Sequence, residues 1–208
     1  METILVLSAH SDDFVLGAGG TIANYTNEKK NVIAFVFSYG ELSHPWLKED
    51  VVIKMRTEET YEAAKILKNK VILNNLKEGH FLENKEIQLS LLKLIQKEKP
   101  TKIFTHSAED PHPDHKAVNK ITLEVLKQLN YKPEVYIYSV WNSVSFKTQQ
   151  PSLYVDITKN FTKKLKSLKK FKSQKIHIAY PVFLLIYRAI KAGIKLRKRF
   201  GEQFYRIQ

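Results

Sequence analysis

The chain has 208 residues, a formal net charge of +13 at neutral pH and no cysteine. The lack of thiols excludes disulfides and thiolate metal sites, so a metal ion would have to be held by histidine, aspartate or glutamate. The length suits a single domain over residues 1–208, and we recognise neither a secretory leader nor an apolar stretch of the ~20 residues that a membrane-spanning helix needs, so we expect a cytoplasmic protein.

Five short apolar runs rich in β-branched residues predict buried strands. They cover residues 3–7, 32–37, 71–73, 102–105 and 135–140. Helical spacing of apolar side chains follows the first four runs, over residues 17–29, 49–68, 85–97 and 117–129. This alternation predicts an α/β fold with a Rossmann-like, mostly parallel sheet and helices on both faces.

Two clusters of potential metal ligands follow predicted strands. The first is "SAHSDD", with His10, Asp12 and Asp13 after the first strand. The second is "HPDH" at residues 112–115, shortly after the fourth strand. The carboxyl ends of parallel strands lie at one edge of a sheet, where ligands bind, so the two clusters can meet there. Together they offer three ligands for a hydrolytic zinc site, a carboxylate base and a donor for an oxyanion.

Each cluster also has a structural interpretation. An aspartate after a strand can cap the next helix, and Pro-Asp is common in surface turns. The glycines after the first cluster, "GAGG", do not complete a dinucleotide fingerprint, because Ile22 stands where the third glycine belongs. We therefore expect these glycines to let a helix approach closely rather than to bind pyrophosphate.

The positive charge is concentrated near the C-terminus. Residues 157–201 hold 14 lysines and arginines and no acid, which leaves 20 basic and 21 acidic residues elsewhere. Two amphipathic helices are predicted there. The apolar stripe of the first contains Phe161, Leu165, Leu168 and Phe171, and that of the second contains Val182, Ile186, Ala189, Gly193, Leu196 and Phe200.

This basic segment has two interpretations. The helices can pack on the sheet with their basic side chains in solvent, or they can be drawn to an anionic surface, either acidic lipid or a phosphate-bearing substrate. In the second case the protein would be peripheral at the membrane. Nucleic acid is not an expected partner, because no known reader motif is present.

The motifs resemble a known family. "AHSDDFVLGAGG" resembles the A-H-P-D-D-E-x-x-x-G-x-G-G opening of the LmbE/PIG-L-type zinc-dependent N-acetylglucosaminyl deacetylases, and "HPDH" resembles their second signature. Weaker matches extend the resemblance over essentially the whole chain. They are "FSYGE", "RTEETYEAAKIL", "KEGHF", "VDITKNFTKKLKSLKKFKSQ" and "GEQFYRI".

The resemblance implies roles for eight residues. One Zn²⁺ per chain would be held by His10, Asp13 and His115. Asp12 would be the general base for the attacking water, and His112 the electrostatic catalyst or general acid. Asp114 would orient His112, while Arg56 and Glu78 would contact the sugar. The implied reaction removes the N-acetyl group from a GlcNAc-containing substrate, small or lipid-linked, and releases acetate and a free amine.

Two positions depart from the family pattern without removing a ligand: Ser11 replaces a proline and Phe14 a glutamate. His106, at the end of a predicted strand, belongs either beside the ligands or to the packed interior. Alternatives to the implied reaction are hydrolysis of another amide or of an ester at the same site, and a non-catalytic anion-binding or membrane-surface protein on the same fold. The aglycone and the oligomeric state stay open.

Overall fold

The computed structural model describes residues 1–44, 46–141, 150–174 and 182–208. Within these ranges the strands form one seven-stranded sheet in the order β3-β2-β1-β4-β5-β7-β6. The strands are β1 (Thr3–Ser8), β2 (Asn31–Val36), β3 (Lys70–Leu73), β4 (Lys102–His106), β5 (Glu134–Tyr138), β6 (Ser152–Asp156) and β7 (Gly201–Arg206). Neighbouring strands from β3 to β5 pair in parallel, and β7 runs antiparallel to both β5 and β6.

Helices cover both faces of the sheet, as the alternation of elements predicts. They are α1 (Asp13–Asn27), α2 (Glu49–Leu67), α3 (Lys85–Glu98), α4 (Pro113–Leu126), α5 (Phe161–Leu168) and α6 (Val182–Leu196). Short 3₁₀ turns lie at Glu41–Ser43 and Phe81–Glu83. No helix in the described ranges is both long and apolar enough to span a bilayer.

Two hydrophobic clusters hold these layers together. One lies beneath α1, α2, α5 and α6 and includes Phe14, Phe104 and Phe204. The other lies beneath α3 and α4 and includes Phe35 and Leu91. Strands β1 and β2 are buried along their whole length because apolar helices cover them from both sides, which is why they read as continuous apolar runs. The predicted α/β class is confirmed.

Two helices begin earlier than their apolar periodicity predicts. Helix α1 starts at Asp13 rather than residue 17, and α4 starts at Pro113 rather than residue 117. The first turn of α4 consists of polar residues, which apolar periodicity does not detect, and Pro113 is well suited to a first helical position. In α1, Asp13 is followed by Phe14, Val15 and Leu16, which are all buried, so the first turn shows no apolar periodicity. Both clusters therefore reach into the N-terminal turn of a helix.

The predicted apolar stripe of the second basic helix is wrong in part. The buried side of α6 consists of Leu185, Ala189, Ala192 and Gly193, whereas Ile186 is exposed. A side chain at Gly193 would lie 2.7 Å from the Lys198 carbonyl oxygen, so small residues must face β7. The stripe predicted for the first basic helix is confirmed, because Phe161, Leu168 and Phe171 are buried and Leu165 is partly buried against the same cluster. Helix α5 ends at Leu168, so Phe171 lies beyond it. Residues 175–181 of the basic segment lie outside the described ranges.

Candidate active site

The two sequence clusters meet at the carboxyl edge of the sheet. Strands β1 and β4 are parallel neighbours, with Val6 opposite Phe104, so the segments after Ser8 and after His106 emerge side by side. Helices α1 and α4 then begin at this edge. The contact between the clusters that the strand order predicts is therefore present.

The turn after β1 is fixed by short polar contacts. The Ser8 hydroxyl donates to the His10 carbonyl oxygen at 2.7 Å and accepts from the Phe14 N–H at 2.9 Å. The Asp13 carboxylate accepts from the His10 N–H at 2.8 Å. Asp12 occupies the N-cap position of α1 but makes no capping hydrogen bond with its side chain. Helix capping therefore does not explain why an aspartate occupies position 12.

Close packing behind this turn depends on Gly17. The Tyr138 ring occupies the space that a β-carbon at this position would need, so any larger residue would collide with the ring. The Tyr138 hydroxyl donates to the Leu7 carbonyl oxygen at 2.6 Å. Gly17 thus lets α1 lie directly against β5, as expected of a glycine that permits close helix approach.

One potential metal-ligand atom from each of three side chains lies close to the other two. The side chains are those of His10, Asp13 and His115. These atoms all lie within 4.8 Å. Oδ2 of Asp13 is 3.4 Å from Nδ1 of His10 and 3.3 Å from Nε2 of His115. Nε2 of His115, like its Nδ1, is buried without a hydrogen-bond partner of good geometry, which is costly in a protein interior. A divalent cation between these atoms would supply that partner, and two imidazoles with one carboxylate suit zinc.

Each of the two histidines has a carboxylate on its other ring nitrogen. Nε2 of His10 is 3.2 Å from Oδ2 of Asp114, and Nδ1 of His115 is 3.0 Å from Oδ1 of Asp110. Histidines that bind metals typically have such a carboxylate partner, which fixes the ring and its tautomer. Sequence reasoning did not single out Asp110, although it stands two residues before "HPDH", where a supporting carboxylate could have been sought.

Asp114 has a different partner from the one implied by the resemblance. Its carboxylate contacts His10 and accepts from the Gly79 N–H at 2.9 Å. Its link to His112 runs through the backbone, where the Asp114 N–H donates to Nδ1 of His112 at 3.2 Å. The geometry therefore favours Asp114 as a support for His10.

The two adjacent aspartates have opposite pKa shifts. Burial is the main cause that raises the pKa of Asp12, and it outweighs the nearby Arg56 cation. Burial also raises the pKa of Asp13, but His115 and His106 more than offset it and hold the pKa well below its ordinary range. Asp13 is thus ionised, while the raised pKa of Asp12 suits a group that accepts a proton from water.

The pKa values of the histidines in the site also shift in opposite directions. Burial lowers the pKa of His10, but hydrogen bonds to Asp114 and Asp13 outweigh it and raise the pKa to about 10. The pKa of His115 rises to about 9, because Asp13 and Asp110 overcome its burial. Burial lowers the pKa of His112, and the neighbouring His10 and His115 lower it further. His112 is therefore neutral at pH 7.

His112 is oriented as a hydrogen-bond donor. It is the N-cap residue of α4, and Nδ1 of its ring accepts a backbone N–H. In the neutral ring the proton is then on Nε2. The ring lies 4.9 Å from that of His10 and 4.8 Å from that of His115, measured between centroids. His112 can therefore donate from Nε2 beside the candidate ligands.

His106 lies at the floor of the site. Its ring stacks on His115 with centroids 3.9 Å apart, and Nε2 accepts from the Ala9 N–H at 3.0 Å. Burial, together with the positive charge of His115, lowers its pKa to about 4, so the ring is neutral. Of the two alternatives for His106, contact with the candidate ligands is the one observed.

Arg56 and Glu78 both reach this edge, but they differ in exposure. Arg56 is fully buried, with Nη2 at 3.5 Å from Oδ1 of Asp12 and Nη1 donating to the Ser43 hydroxyl at 3.3 Å. Glu78 is half-buried, and burial raises its pKa. The Glu78 N–H donates to Oε1 of Glu41 at 3.1 Å. Glu78 is therefore better placed than Arg56 to contact a substrate.

A glycine makes room for Arg56. Gly40 has a φ of +80°, and a side chain there would stand 2.8 Å from the Arg56 guanidinium carbon. The turn is held by the Ser38 hydroxyl, which donates to Oε2 of Glu41 at 2.8 Å. The "FSYGE" segment therefore forms the pocket of the guanidinium beside Asp12.

The two departures from the family pattern lie outside the ligand set. Phe14 is fully buried in the hydrophobic cluster beneath α1. The Ser11 hydroxyl donates to the Tyr39 carbonyl oxygen at 3.0 Å and so ties the turn to the segment after β2. Neither residue removes a candidate ligand.

Known proteins resemble the chain over nearly its whole length. A 4-oxalmesaconate hydratase of Pseudomonas putida KT2440 is 26% identical over 209 aligned positions, which cover 92% of this chain and 81% of the relative. The N,N′-diacetylchitobiose deacetylase of Pyrococcus horikoshii superposes with a TM-score of 0.85 at 25% identity and covers 99% of this chain and 84% of its own.

A solved hydratase structure shares the fold. GalB, the 4-carboxy-2-hydroxymuconate hydratase of Pseudomonas putida KT2440, superposes with a TM-score of 0.87 at 22% identity, over 100% of this chain and 97% of its own. The sequence model described as "PIG-L: GlcNAc-PI de-N-acetylase" matches residues 5–126, which include both ligand clusters. The chain therefore belongs to the PIG-L family of deacetylases and related enzymes.

Proposed function

We propose that the protein is a zinc-dependent hydrolase that removes the N-acetyl group from a GlcNAc-containing substrate. The observation that carries the proposal is the set of His10, Asp13 and His115, whose ligand atoms lie within 4.8 Å of one another next to the unligated Asp12. The family description and the chitobiose deacetylase likeness support an N-acetylated sugar as substrate.

The residues present fit one divalent cation per chain. His10, Asp13 and His115 would hold it, with Asp114 and Asp110 supporting the two imidazoles. When bound, zinc supplies Lewis-acid polarisation of the amide carbonyl and lowers the pKa of water. The high pKa values of His10 and His115 mean that both rings must release protons when the cation binds, so zinc affinity should rise with pH.

Asp12 and His112 would move the protons and stabilise the charge. Asp12 accepts a proton from water as the water oxygen bonds to the acetyl carbon. His112 donates from Nε2 to the carbonyl oxygen, on which negative charge develops. The carbon–nitrogen bond then breaks, and the proton held by Asp12 passes to the departing nitrogen. The products are acetate and a free amine.

The remaining site residues would position the sugar. Glu78 is half-buried at the edge of the site, where its carboxylate can accept hydrogen bonds from sugar hydroxyls. Arg56 was predicted to contact the sugar as well. Its partner in the structure is Asp12, whose ionised form its guanidinium stabilises. Sugar binding by both residues stays a proposal.

An acetate-release screen tests the proposal. The zinc-loaded protein is incubated with a panel of GlcNAc conjugates, and free acetate and free amine are measured together. Equal release of both is expected for at least one conjugate and not for the Asp12→Asn variant. Hydrolysis of other amides or of esters, with no GlcNAc conjugate turned over, would contradict the sugar assignment and retain the hydrolase.

A second candidate is the hydration of an unsaturated carboxylic acid. The similarity of this chain to the Pseudomonas putida hydratase, over 92% of its length, favours this candidate. Hydration also needs an activated water and a group that accepts its proton, so the same residues would serve. The two candidates are distinguished directly, because hydration of a conjugated acid removes ultraviolet absorbance and releases no acetate.

A further inference from the structure

Helix α6 exposes an apolar surface that the fold does not use. Five of the fifteen large hydrophobic side chains exposed in the described ranges lie on this one helix. Four of them follow one another at spacings of four, three and four residues and so share one face. We define this face as the α6 stripe: Phe183 (75% exposed), Tyr187 (59%), Ile190 (42%) and Ile194 (68%).

The packing of the helix accounts for the position of the stripe. Its small residues face the protein: Ala189 and Ala192 are buried, and Gly193 lies against the backbone at Lys198 and Arg199. Leu185 is also buried, and the large apolar residues of the stripe are left on the opposite side. Single exposed apolar residues are ordinary, but a contiguous row of them usually marks a binding surface.

The charge carried by α6 and by the residues up to Gly201 is entirely positive. From residue 182 to residue 201 the sequence has six basic residues and no acid. Lys191 and Lys195 are exposed on the same helix, and Arg197 is exposed just beyond its end. An exposed apolar face bordered by lysine and arginine is typical of helices that lie in the interface of an anionic bilayer.

The first basic helix is different, because protein contacts occupy much of its charge. Lys164 is buried, with Nζ 2.6 Å from Oε1 of Glu202. Lys170 pairs with Glu62 at 3.1 Å. The contacts of α5 with the rest of the protein thus account for its basic side chains. Of these two helices, α6 is the one that combines an exposed apolar stripe with a basic border.

We propose that α6 docks the protein onto an anionic lipid bilayer. The α6 stripe enters the boundary between headgroups and acyl chains, and the bordering lysines and arginines contact lipid phosphates. A second copy of the chain fits less well, because a symmetric contact through this face would bring two sets of the same positive charges together. A soluble phosphate-bearing substrate would use the charge but not the exposed apolar row.

Helix α6 is connected to the candidate active site through the residues that follow β5. Nη1 of Arg188, on α6, donates to the Val140 carbonyl oxygen at 2.9 Å. Trp141, which follows Val140 in the chain, donates its N–H to Oδ2 of Asp110 at 3.2 Å. Asp110 in turn contacts His115. Docking through α6 would therefore place the site at the membrane surface, whichever reaction it catalyses.

Vesicle sedimentation tests the proposal without any substrate, so the result does not depend on the proposed function. The full-length protein is mixed with vesicles of phosphatidylcholine and phosphatidylglycerol in equal parts, and with vesicles of phosphatidylcholine alone. We expect it to sediment with the anionic vesicles at low salt, to be released at high salt, and to stay in solution with the neutral ones.

Paired variants separate a docking face from overall charge. Lys191→Glu with Lys195→Glu should lower the partition coefficient about 25-fold or more, at about fivefold per basic residue near an anionic surface. The control is Lys93→Glu with Lys97→Glu, an exposed pair at the same spacing on α3, on the other face of the sheet. It makes the same change in net charge and should bind much more strongly than the α6 variant.

A second pair of variants tests the stripe. Ile190→Gln with Ile194→Gln should lower binding about tenfold or more, because two apolar side chains are lost from the interface. Leu89→Gln with Leu123→Gln, at exposed positions on α3 and α4, should leave binding unchanged. Circular dichroism checks that all variants are folded.

Three results would overturn the proposal. The first is a wild-type protein that stays in solution with anionic vesicles at low salt. The second is a failure of the paired variants, either equal loss in the α6 and α3 charge variants or full binding by the stripe variant. The third is a dimer, seen by light scattering, that the stripe variant abolishes while lipid binding is absent, which would make α6 a contact between copies.

Discussion

At the scale of single residues, the candidate site combines side chains that a motif can identify with contacts that it cannot. The identities of His10, Asp13 and His115 were predicted from the sequence, and the structure brings their ligand atoms together. The carboxylates behind His10 and His115 were not predicted, because the contacts of a ring nitrogen depend on how the folded chain orients the ring. Asp110 was missed, and Asp114 lies against His10 instead of orienting His112 through its carboxylate.

The role of Asp12 gives the first prediction at this scale. Asp12→Asn keeps the shape of the side chain but removes its capacity to accept a proton. We expect zinc content and fold to be unchanged and turnover to fall by roughly 10²-fold or more. Elemental analysis and initial rates measure the two properties. Normal turnover in a variant with full zinc would show that another residue is the base.

His112 should affect turnover without holding the metal. His112→Ala removes the proposed Nε2 donor, and we expect about 10²–10³-fold slower turnover with zinc content retained. Because Nδ1 already accepts the Asp114 N–H, the residue should act as a neutral donor. His112→Gln, which can still donate a hydrogen bond, should recover part of the rate. Loss of zinc in either variant would place His112 among the ligands.

Asp110 and Asp114 should act through the metal. Replacing either by asparagine leaves a weaker partner for the ligand histidine, and we expect zinc affinity to fall about 10–100-fold. Competition with a chelator of known affinity measures the change. Glu109→Gln, next to Asp110 but exposed, is the matched control. Unchanged affinity in Asp114→Asn, together with slower turnover, would instead support the orientation of His112 implied by the resemblance.

At the scale of helices and strands, the sequence predicted the parallel half of the sheet better than its other edge. Strands β1 to β5 are mostly buried apolar runs, which are visible locally. Strands β6 and β7 were not predicted, because they mix polar with apolar residues. They form through pairing over long sequence distances, as between Tyr154 and Gln203. The stripe of α6 was misplaced for a similar reason, since the approach of β7 to Gly193 decides which side is buried.

The buried pair of Lys164 and Glu202 gives a prediction at this scale. The Glu202 carboxylate also accepts the N–H groups of Gly20 and Thr21, at 2.9 and 2.7 Å, and so joins β7 and α5 to α1. Glu202→Gln leaves a buried ammonium without its counter-charge, which should cost about 3–5 kcal/mol in urea denaturation. Adding Lys164→Met should restore much of that loss. A cost below about 1 kcal/mol for Glu202→Gln alone would contradict this account.

At the scale of the whole molecule, the two hydrophobic clusters should be sufficient for folding, and the metal should add to them. Their members lie on either side of the sheet and do not include the candidate ligands. The candidate ligands come from the turn before α1, the first residue of α1 and the start of α4, and the two helices belong to opposite faces. A cation would therefore link the two helical layers at the carboxyl edge of the sheet. The sequence indicates that the two clusters meet there only through the predicted order of its strands.

Removal of the metal should lower the thermal midpoint without unfolding the protein. A ligand that binds only the folded state, present at about 100 times its Kd, adds about 2.7 kcal/mol, which corresponds to about 5–10 °C in a chain of this size. Calorimetry of the zinc-loaded and the chelator-treated protein measures the difference. His115→Ala should show no response to zinc or chelator, because it lacks a ligand whose Nε2 has no other partner. A wild-type midpoint that chelation leaves unchanged, or a full response in His115→Ala, would remove the cation from the place between α1 and α4.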